Sequence, residues 1–269
     1  MAYHTNLQGF EEWLCSKELS RSTRVCYLHA VKLYFEAAKT LDVINIINWK
    51  SELLNTLSPK TVNLYLSGLR KYCEYKGVHI AIKHVKIQRT TSVENVLTIQ
   101  QYNTLISGLK RDGLNDWAMY YTILAKTGAR ISEFLKLKKA DLNAGYAELH
   151  TKGKVRRILF PAALLEEARR HYKKLKPGMY LCRNKHGQPM TARGFSLMLR
   201  THAEKYSIPV ANAHPHAFRH LFAIEFLKRN KNISLLADLL GHSGVNTTMI
   251  YLRLSQEQQA DELNSAMNW

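Results

Sequence analysis

Hydrophobic positions in the first part of the chain recur at helical spacing. In RSTRVCYLHAVKLYFEAA, which follows Ser20, the residues Val25, Leu28, Val31 and Phe35 form one stripe, with Ser20 as N-cap. Ser58, Pro59 and Lys60 open another helix, with Pro at the first helical position, where no amide hydrogen bond is lost. Val62, Leu64, Leu66, Leu69 and Tyr72 are its expected core members, and Gly77 its stop. Between Gly77 and Leu97 the period breaks. HIAIKHVKIQRTTSVENV alternates and is basic, which predicts a linker between a helical domain over residues 1–90 and a second domain over 91–269.

Helical spacing resumes in LTIQQYNTLISGLK and continues through WAMYYTILAKTGAR and ISEFLKLKKADL. From Ala147 to Phe160, AELHTKGKVRRILF changes to two alternating runs around Lys-Gly-Lys, a β-hairpin with Gly153 in its turn. Pro161 restarts a helix, PGMYLCRNKHGQPM reads as a loop, and the remainder is helical. The pattern is mainly α with one small β-hairpin, without internal repeats or low-complexity segments.

Composition adds the partner. With 46% hydrophobic and 22% charged residues the chain is globular, and it has no apolar run approaching the ~18 residues of a membrane span. The opening MAYHTNLQGFEEWL has neither a basic leader nor an apolar signal core, so no export is expected. Cys15, Cys26, Cys73 and Cys182 form no C-x-x-C pair, which fits reduced thiols in the cytoplasm, three of them on apolar positions of expected helices. Lys and Arg number 39 against 21 Asp and Glu, a net charge of +18 spread over both halves. A folded chain this basic accepts self-repulsion that a polyanion would relieve, so nucleic acid is the expected partner.

The densest chemistry lies in HPHAFRH, residues 214–220. His216 and His220 have the H-x-x-x-H spacing of a zinc site, whereas His216 and Arg219 suit a phosphate. A zinc protease needs glutamate directly after the first histidine, where this chain has Ala217, so no metal is expected. Histidines packed at a helix start are the plain alternative. Other segments are equally bland when taken singly. Arg130 and Glu133 in TGARISEFLKL read as a surface ion pair on one helix face, and a lysine in HTKGKVRRI as a solvated hairpin tip. In LLADLLGHSGVNTTMIYLRL, Gly241 ends a helix, His242 follows, and Asn246 or Thr247 caps a short helix carrying Tyr251.

In this order, TGARISEFLKL, HTKGKVRRI, HPHAFRH and LGHSGVNTTMIYLRL resemble the tyrosine recombinase (phage integrase) family, over essentially the whole chain. LSRSTRVCYLHAVKLYF and LSPKTVNLYLSGLRKYCEYKG are similar to the family's helical, SAM-like core-binding domain. The resemblance implies a two-domain C-shaped clamp on DNA. It implies Arg130 and Arg219 as catalytic arginines, Lys152 as hairpin lysine (Lys154 competing), His216 and His242 as histidines, and Tyr251 as nucleophile, with Glu133 supporting Arg130. It also implies a 3′-phosphotyrosine intermediate, strand exchange through a Holliday junction, and integration, excision, inversion or resolution as outcomes. The expected assembly is a homotetramer on paired inverted-repeat sites in double-stranded DNA, linked by the tail after Tyr251, with an accessory directionality factor left open. No cofactor, metal or membrane enters. The host would be bacterial, archaeal, phage or another mobile element, and the compact Xer-type members, without an added N-terminal arm-binding domain, are the nearest in kind. Arg21, Arg24, Lys60, Arg193 and Arg200 are candidate DNA contacts. A type IB topoisomerase and a non-catalytic architectural DNA-binding protein are the competing readings.

The chemistry suits these residue types. Attack on a phosphodiester builds negative charge on two non-bridging oxygens, which paired guanidinium forks grip while remaining charged. A phenol near pKa ~10 must lose a proton to attack, for which His216, alone or with Lys152, is the expected acceptor. The departing 5′ oxygen needs a proton, which a hairpin lysine can supply. His220 and His214 are left over; His220, next to Arg219, either orients a neighbour or packs, and packing is the expectation.

Overall fold

The computed structural model describes residues 7–87, 95–151, 154–184, 186–241, 248–252, 264 and 267, without the side chains of His150, Thr151 and Lys154. The chain divides into two compact units, Met1–Arg89 and Thr90–Trp269.

The first unit holds α1 (Leu7–Ser16), α2 (Arg21–Ala37), α3 (Val43–Thr56) and α4 (Pro59–Lys76). Local sequence sets the boundaries. Ser20, Asp42 and Ser58 each accept from a backbone N–H three residues on, and Gly77 ends α4 at φ 67°. Two expected core members face solvent instead: Val25 is 58% and Leu64 43% exposed. The cause is helical phase. Val25 lies nine positions from the buried Tyr34, half a turn out of step, and Leu64 lies between the buried Val62 and Leu66 on the far side of α4.

The expected linker starts later than its composition suggests. Residues 78–87 form no helix or strand, and Asn63 on α4 holds them by both ends of its amide. Its Nδ2 donates to Val85 O at 2.9 Å and its Oδ1 accepts from Val85 N at 2.7 Å. Ile80, Ile82 and Val85 pack on the cluster of Tyr34, Trp49 and Leu66, so the apolar residues of this stretch belong to the core of the first unit.

The second unit begins with α5 (Ile99–Arg111) and α6 (Asn115–Thr127), followed by the short α7 (Ile131–Phe134) and α8 (Lys139–Ala144). The antiparallel β1 (Tyr146–Thr151) and β2 (Lys154–Leu159) pair from Tyr146 with Leu159 to Thr151 with Lys154; Gly153 lies outside the described residues. Then come α9 (Ala162–His171), α10 (Ala192–Lys205), α11 (Pro215–Arg229), α12 (Ile233–Leu240) and a 3-10 turn, Met249–Leu252. Helix α6 is the axis of this unit. It is buried on almost every side, as an all-round apolar helix must be, and α5, α9 and α11 pack against it. The loop between α9 and α10 is tied down by bridges between Lys138 and Tyr180 and between Arg183 and Pro189.

All four cysteines are free thiols; Cys15 is exposed in spite of its apolar helical position, and Cys73 and Cys182 are buried. Among the described residues no helix is long and apolar enough to cross a membrane.

Candidate active site

The segment that drew attention in the sequence opens α11. His214 is its N-cap, with Nδ1 accepting from Ala217 N at 3.1 Å, and Pro215 stands at the first helical position. His214 Nε2 also lies 3.3 Å from Asn95 O. Ala217, Phe218, Leu221 and Ala223 drive one face of α11 into the core, and Arg219 goes in with them, at 1% exposure. A buried guanidinium needs acceptors. Arg219 finds them at helix ends: Nη1 donates to Gly128 O at 2.9 Å and Nη2 to Leu240 O at 2.6 Å. Gly128 closes α6 and Leu240 is the last residue of α12, so both carbonyls lie at negative helix termini that lack intrahelical donors. Burial, with Arg130 and Arg156 nearby, pushes the guanidinium down from its usual value to about 10.

Arg130 uses the same device. It is the N-cap of α7, not a residue within the helix, and Glu133 reaches back to it: Arg130 N donates to Glu133 Oε2 at 2.7 Å and Arg130 Nη1 to Oε1 at 2.9 Å. Arg130 Nη2 donates to Gly241 O at 3.2 Å, the cap of α12. Glu133 is 7% exposed, so the pair is no surface ion pair. Burial alone would raise its carboxyl, but the Arg130 N–H and the Arg156 and Arg130 guanidinium groups outweigh it and hold Glu133 below the ordinary carboxylate range.

Arg156 is the member that sequence reasoning missed. On β2 its Nη1 donates to both Glu133 oxygens at 2.5 Å and its Nη2 to Leu239 O at 3.0 Å. Its signal was the strand period: Arg156, Ile158 and Phe160 point inward while Val155, Arg157 and Leu159 are exposed. One buried carboxylate and four helix-end carbonyls thus hold three guanidinium groups together. Two glycines shape the space. A Cβ on Gly128 would meet Phe222 Cδ1 at 2.6 Å, one on Gly241 would meet Arg156 Cδ at 2.5 Å, and both glycines have φ of 61°.

Tyr251 lies on the 3-10 turn, half-buried, and like Phe222 and Phe226 it packs on the cluster of Ala223, Leu227, Leu236 and Leu240. Burial raises its phenol above the ordinary value, and the charge of Arg219 pulls it partly back. The hydroxyl does not idle. It lies 2.8 Å from His220 Nδ1. The expectation of packing for His220 therefore gives way to the other role open to it, orienting a neighbour: the last position of the H-x-x-x-H spacing, one residue past Arg219, turns toward the 3-10 turn. His216 stacks edge-on to His220 with ring centroids 4.5 Å apart, one edge exposed to solvent. Its packed side, with Arg219, His214 and Arg130, holds it below the usual histidine value. Burial first, then His216, His214 and Arg219, push His220 down to about 4, leaving its ring neutral near pH 7.

Lys152 and His242, and the caps Asn246 and Thr247, lie outside the described residues, as does the tail past Leu252 apart from residues 264 and 267. Lys154 pairs with Thr151 at the hairpin end. Of the DNA-contact candidates, Arg21 and Lys60 are exposed at the starts of α2 and α4, and Arg193 and Arg200 are exposed on α10. Arg24 differs: it is half-buried and donates to Leu19 O at 3.4 Å. Among the described residues no group of three or more His, Cys, Asp or Glu side chains could hold a metal ion.

Guanidinium groups clustered near a half-buried phenol are the chemistry that would suit a phosphate ligand and an oxygen nucleophile. Residues 95–258 match the phage integrase family, and the chain belongs to that family, the tyrosine recombinases, enzymes that exchange DNA strands in site-specific recombination. It is similar to tyrosine recombinase XerD of Listeria innocua, with 28% identity over 92% of this chain and 93% of the relative. Tyrosine recombinase XerA of Pyrococcus furiosus is 25% identical over 97% of this chain and 93% of the relative. The fold is shared with a lambda integrase dimer bound to a COC' core site, at a TM-score of 0.76 with 16% identity over 95% of this chain and 96% of that one. Neither the topoisomerase reading nor the architectural one gains support from these likenesses.

Proposed function

We propose that this chain cleaves one DNA strand at a time with Tyr251, holds it as a 3′-phosphotyrosine, and rejoins it to a strand of a second duplex through a Holliday junction. The single observation that carries the reading is the cluster in which Arg219 and Arg130 are fixed by helix-end carbonyls while the charge of Arg219 bears on the Tyr251 phenol. Arg130 and Arg219 are the phosphate clamp, pre-positioned so that no reorganisation is needed as charge develops. Glu133 and Arg156 hold Arg130 in place. Lys152 protonates the departing 5′ oxygen, and His216 and His242 donate hydrogen bonds to the phosphate. Because the phosphotyrosine keeps the energy of the broken bond, a free 5′ hydroxyl can reverse the step, so no ATP is consumed.

The partner is double-stranded DNA carrying paired inverted repeats, and the working assembly is a homotetramer on synapsed sites, its subunits linked by the tail after Tyr251. The first unit and α10 supply DNA contacts through Arg21, Lys60, Arg193 and Arg200; Arg24, turned onto Leu19, is a weaker candidate. The place of action is the cytoplasm, at the host nucleoid. The net charge of +18 supports a polyanionic partner.

The test uses nicked suicide duplexes drawn from a random-sequence pool by covalent capture on the intact chain in EDTA. The wild-type chain is expected to form a covalent protein–DNA adduct and Tyr251→Phe to form none. Absence of any adduct, or an adduct on Tyr251→Phe, overturns the assignment.

A further inference from the structure

His220 stands one position past Arg219, on the turn of α11 that faces the 3-10 turn, and the Tyr251 hydroxyl lies 2.8 Å from its Nδ1. Among the described residues no other side chain is hydrogen-bonded to that hydroxyl. The rings are tilted by 55° with centroids 5.5 Å apart, so the contact runs edge to hydroxyl and is not a stack. His216 and His214 flank the His220 ring at 4.5 and 6.5 Å, both edge-on. His220 thus has two imidazole rings against its own and the phenol hydroxyl at its Nδ1.

We infer that His220 is the side chain that both orients the Tyr251 hydroxyl and takes its proton during attack. The inference rests on Tyr251 being the nucleophile. The step balances as follows: Tyr251 Oη bonds to phosphorus while the P–O5′ bond breaks, the phenolic proton passes to His220 Nδ1, and the 5′ oxygen leaves with a proton from Lys152. On rejoining, both transfers reverse. For Nδ1 to accept, His220 must carry its own proton on Nε2. A neutral ring supplies that lone pair, and the buried, cation-rich surroundings keep it neutral before attack. The entering phosphate brings negative charge to the arginines, which favours a positive ring at the moment the proton moves. His216, the acceptor expected from the sequence, is then left to face the phosphate from the solvent side.

The experiment compares adduct formation by the intact chain and its variants on two versions of the captured suicide duplex, one natural and one with a 5′-bridging phosphorothiolate. A thiolate leaves without a proton, so the second substrate bypasses any group acting on the leaving side. His220→Ala and His220→Asn are both expected to slow adduct formation by about 10²–10⁴-fold, the usual worth of one proton transfer, and to stay slow on the phosphorothiolate. Lys152→Ala is expected to recover on it. Asn keeps an acceptor close to the Nδ1 position and so preserves the fold if Ala does not. A wild-type rate in either variant overturns the inference, and so does recovery of the His220 variants on the phosphorothiolate. A second reading needs no DNA: in the free chain, Tyr251→Phe should move the ¹⁵N resonance of His220 Nδ1, and an unmoved resonance overturns the contact. If the wild-type chain forms no adduct, or Tyr251→Phe still does, the nucleophile assignment fails, whatever the His220 variants do.

Discussion

In the first unit, Phe10 meets Tyr72 edge-on at 5.1 Å and Tyr34 meets Trp49 edge-on at 5.2 Å, around aliphatic residues from α2 and α4. In the second unit the interior includes Arg219, Glu133, Lys139, His202 and three threonines, and among the described residues every buried polar or charged side chain belongs to this unit. An apolar interior of this kind tolerates exchanges of similar volume. The guanidinium cluster does not, because its buried charges are compensated only by Glu133 and by helix-end carbonyls set at fork geometry. Chemistry is thus bound to stability in one unit and separate from it in the other.

The largest effect on cleavage expected from breaking this contrast is at Arg219. Arg219→Lys keeps a charge but loses the fork that spans Gly128 O and Leu240 O, and adduct formation should fall by about 10²–10³-fold, as for a lost oxyanion donor. Single-turnover cleavage measures it; a loss under tenfold would remove Arg219 from the clamp. Next comes Arg156→Ala, which leaves the buried Glu133 with one cation. Breaking such a pair costs on the order of 3–5 kcal/mol, to be read as a lowered midpoint in urea. An unchanged midpoint would make Arg156 a bystander.

Two glycines sharpen the comparison further. Gly77 and Gly241 both close helices, at φ of 67° and 61°. A Cβ on Gly77 meets nothing within 4 Å, whereas one on Gly241 runs into Arg156. Gly77→Ala should therefore cost about 1 kcal/mol, from backbone strain alone, and Gly241→Ala distinctly more, with slowed cleavage as well. Equal costs would deny that Gly241 makes room for the arginine.

The last effect expected is a pH dependence, spread over more than two pH units. His220 has a folded value near 4, below the ordinary 6.5, so the folded state binds its proton less readily than the unfolded chain. Its contribution to stability is present above pH 6.5 and drains away as pH falls toward 4. His216, His214, Arg219 and the Tyr251 phenol are the groups facing it, and His216 is lowered in the same direction. Thermal midpoints of the wild-type chain should drop more steeply across this window than those of His220→Asn; parallel curves would contradict the buried, neutral ring.

Much of this was legible before the structure, for local reasons. Ser20, Ser58 with Pro59, Gly77 and Gly241 announce helix ends because each serves a backbone need within a few residues. The site residues were legible as motifs because their spacing is peculiar, not because their environments could be seen. What escaped depends on distant partners. Arg156 looked like one more cation near a basic hairpin tip until Glu133 and Leu239 were brought beside it. His220 looked surplus until the 3-10 turn placed Tyr251 against it. Asn63 gave no hint that it would clasp Val85, 22 residues on.

The central claim, that this guanidinium-lined site serves one particular phenol, is tested most directly by locating the covalent bond. The adduct formed on the captured suicide duplex is digested with trypsin and nuclease, and the nucleotide-bearing peptide is sequenced by mass spectrometry. Of the 14 tyrosines in the chain, only Tyr251 is expected to carry the 3′ phosphate. A phosphonucleotide on any other residue would contradict the account.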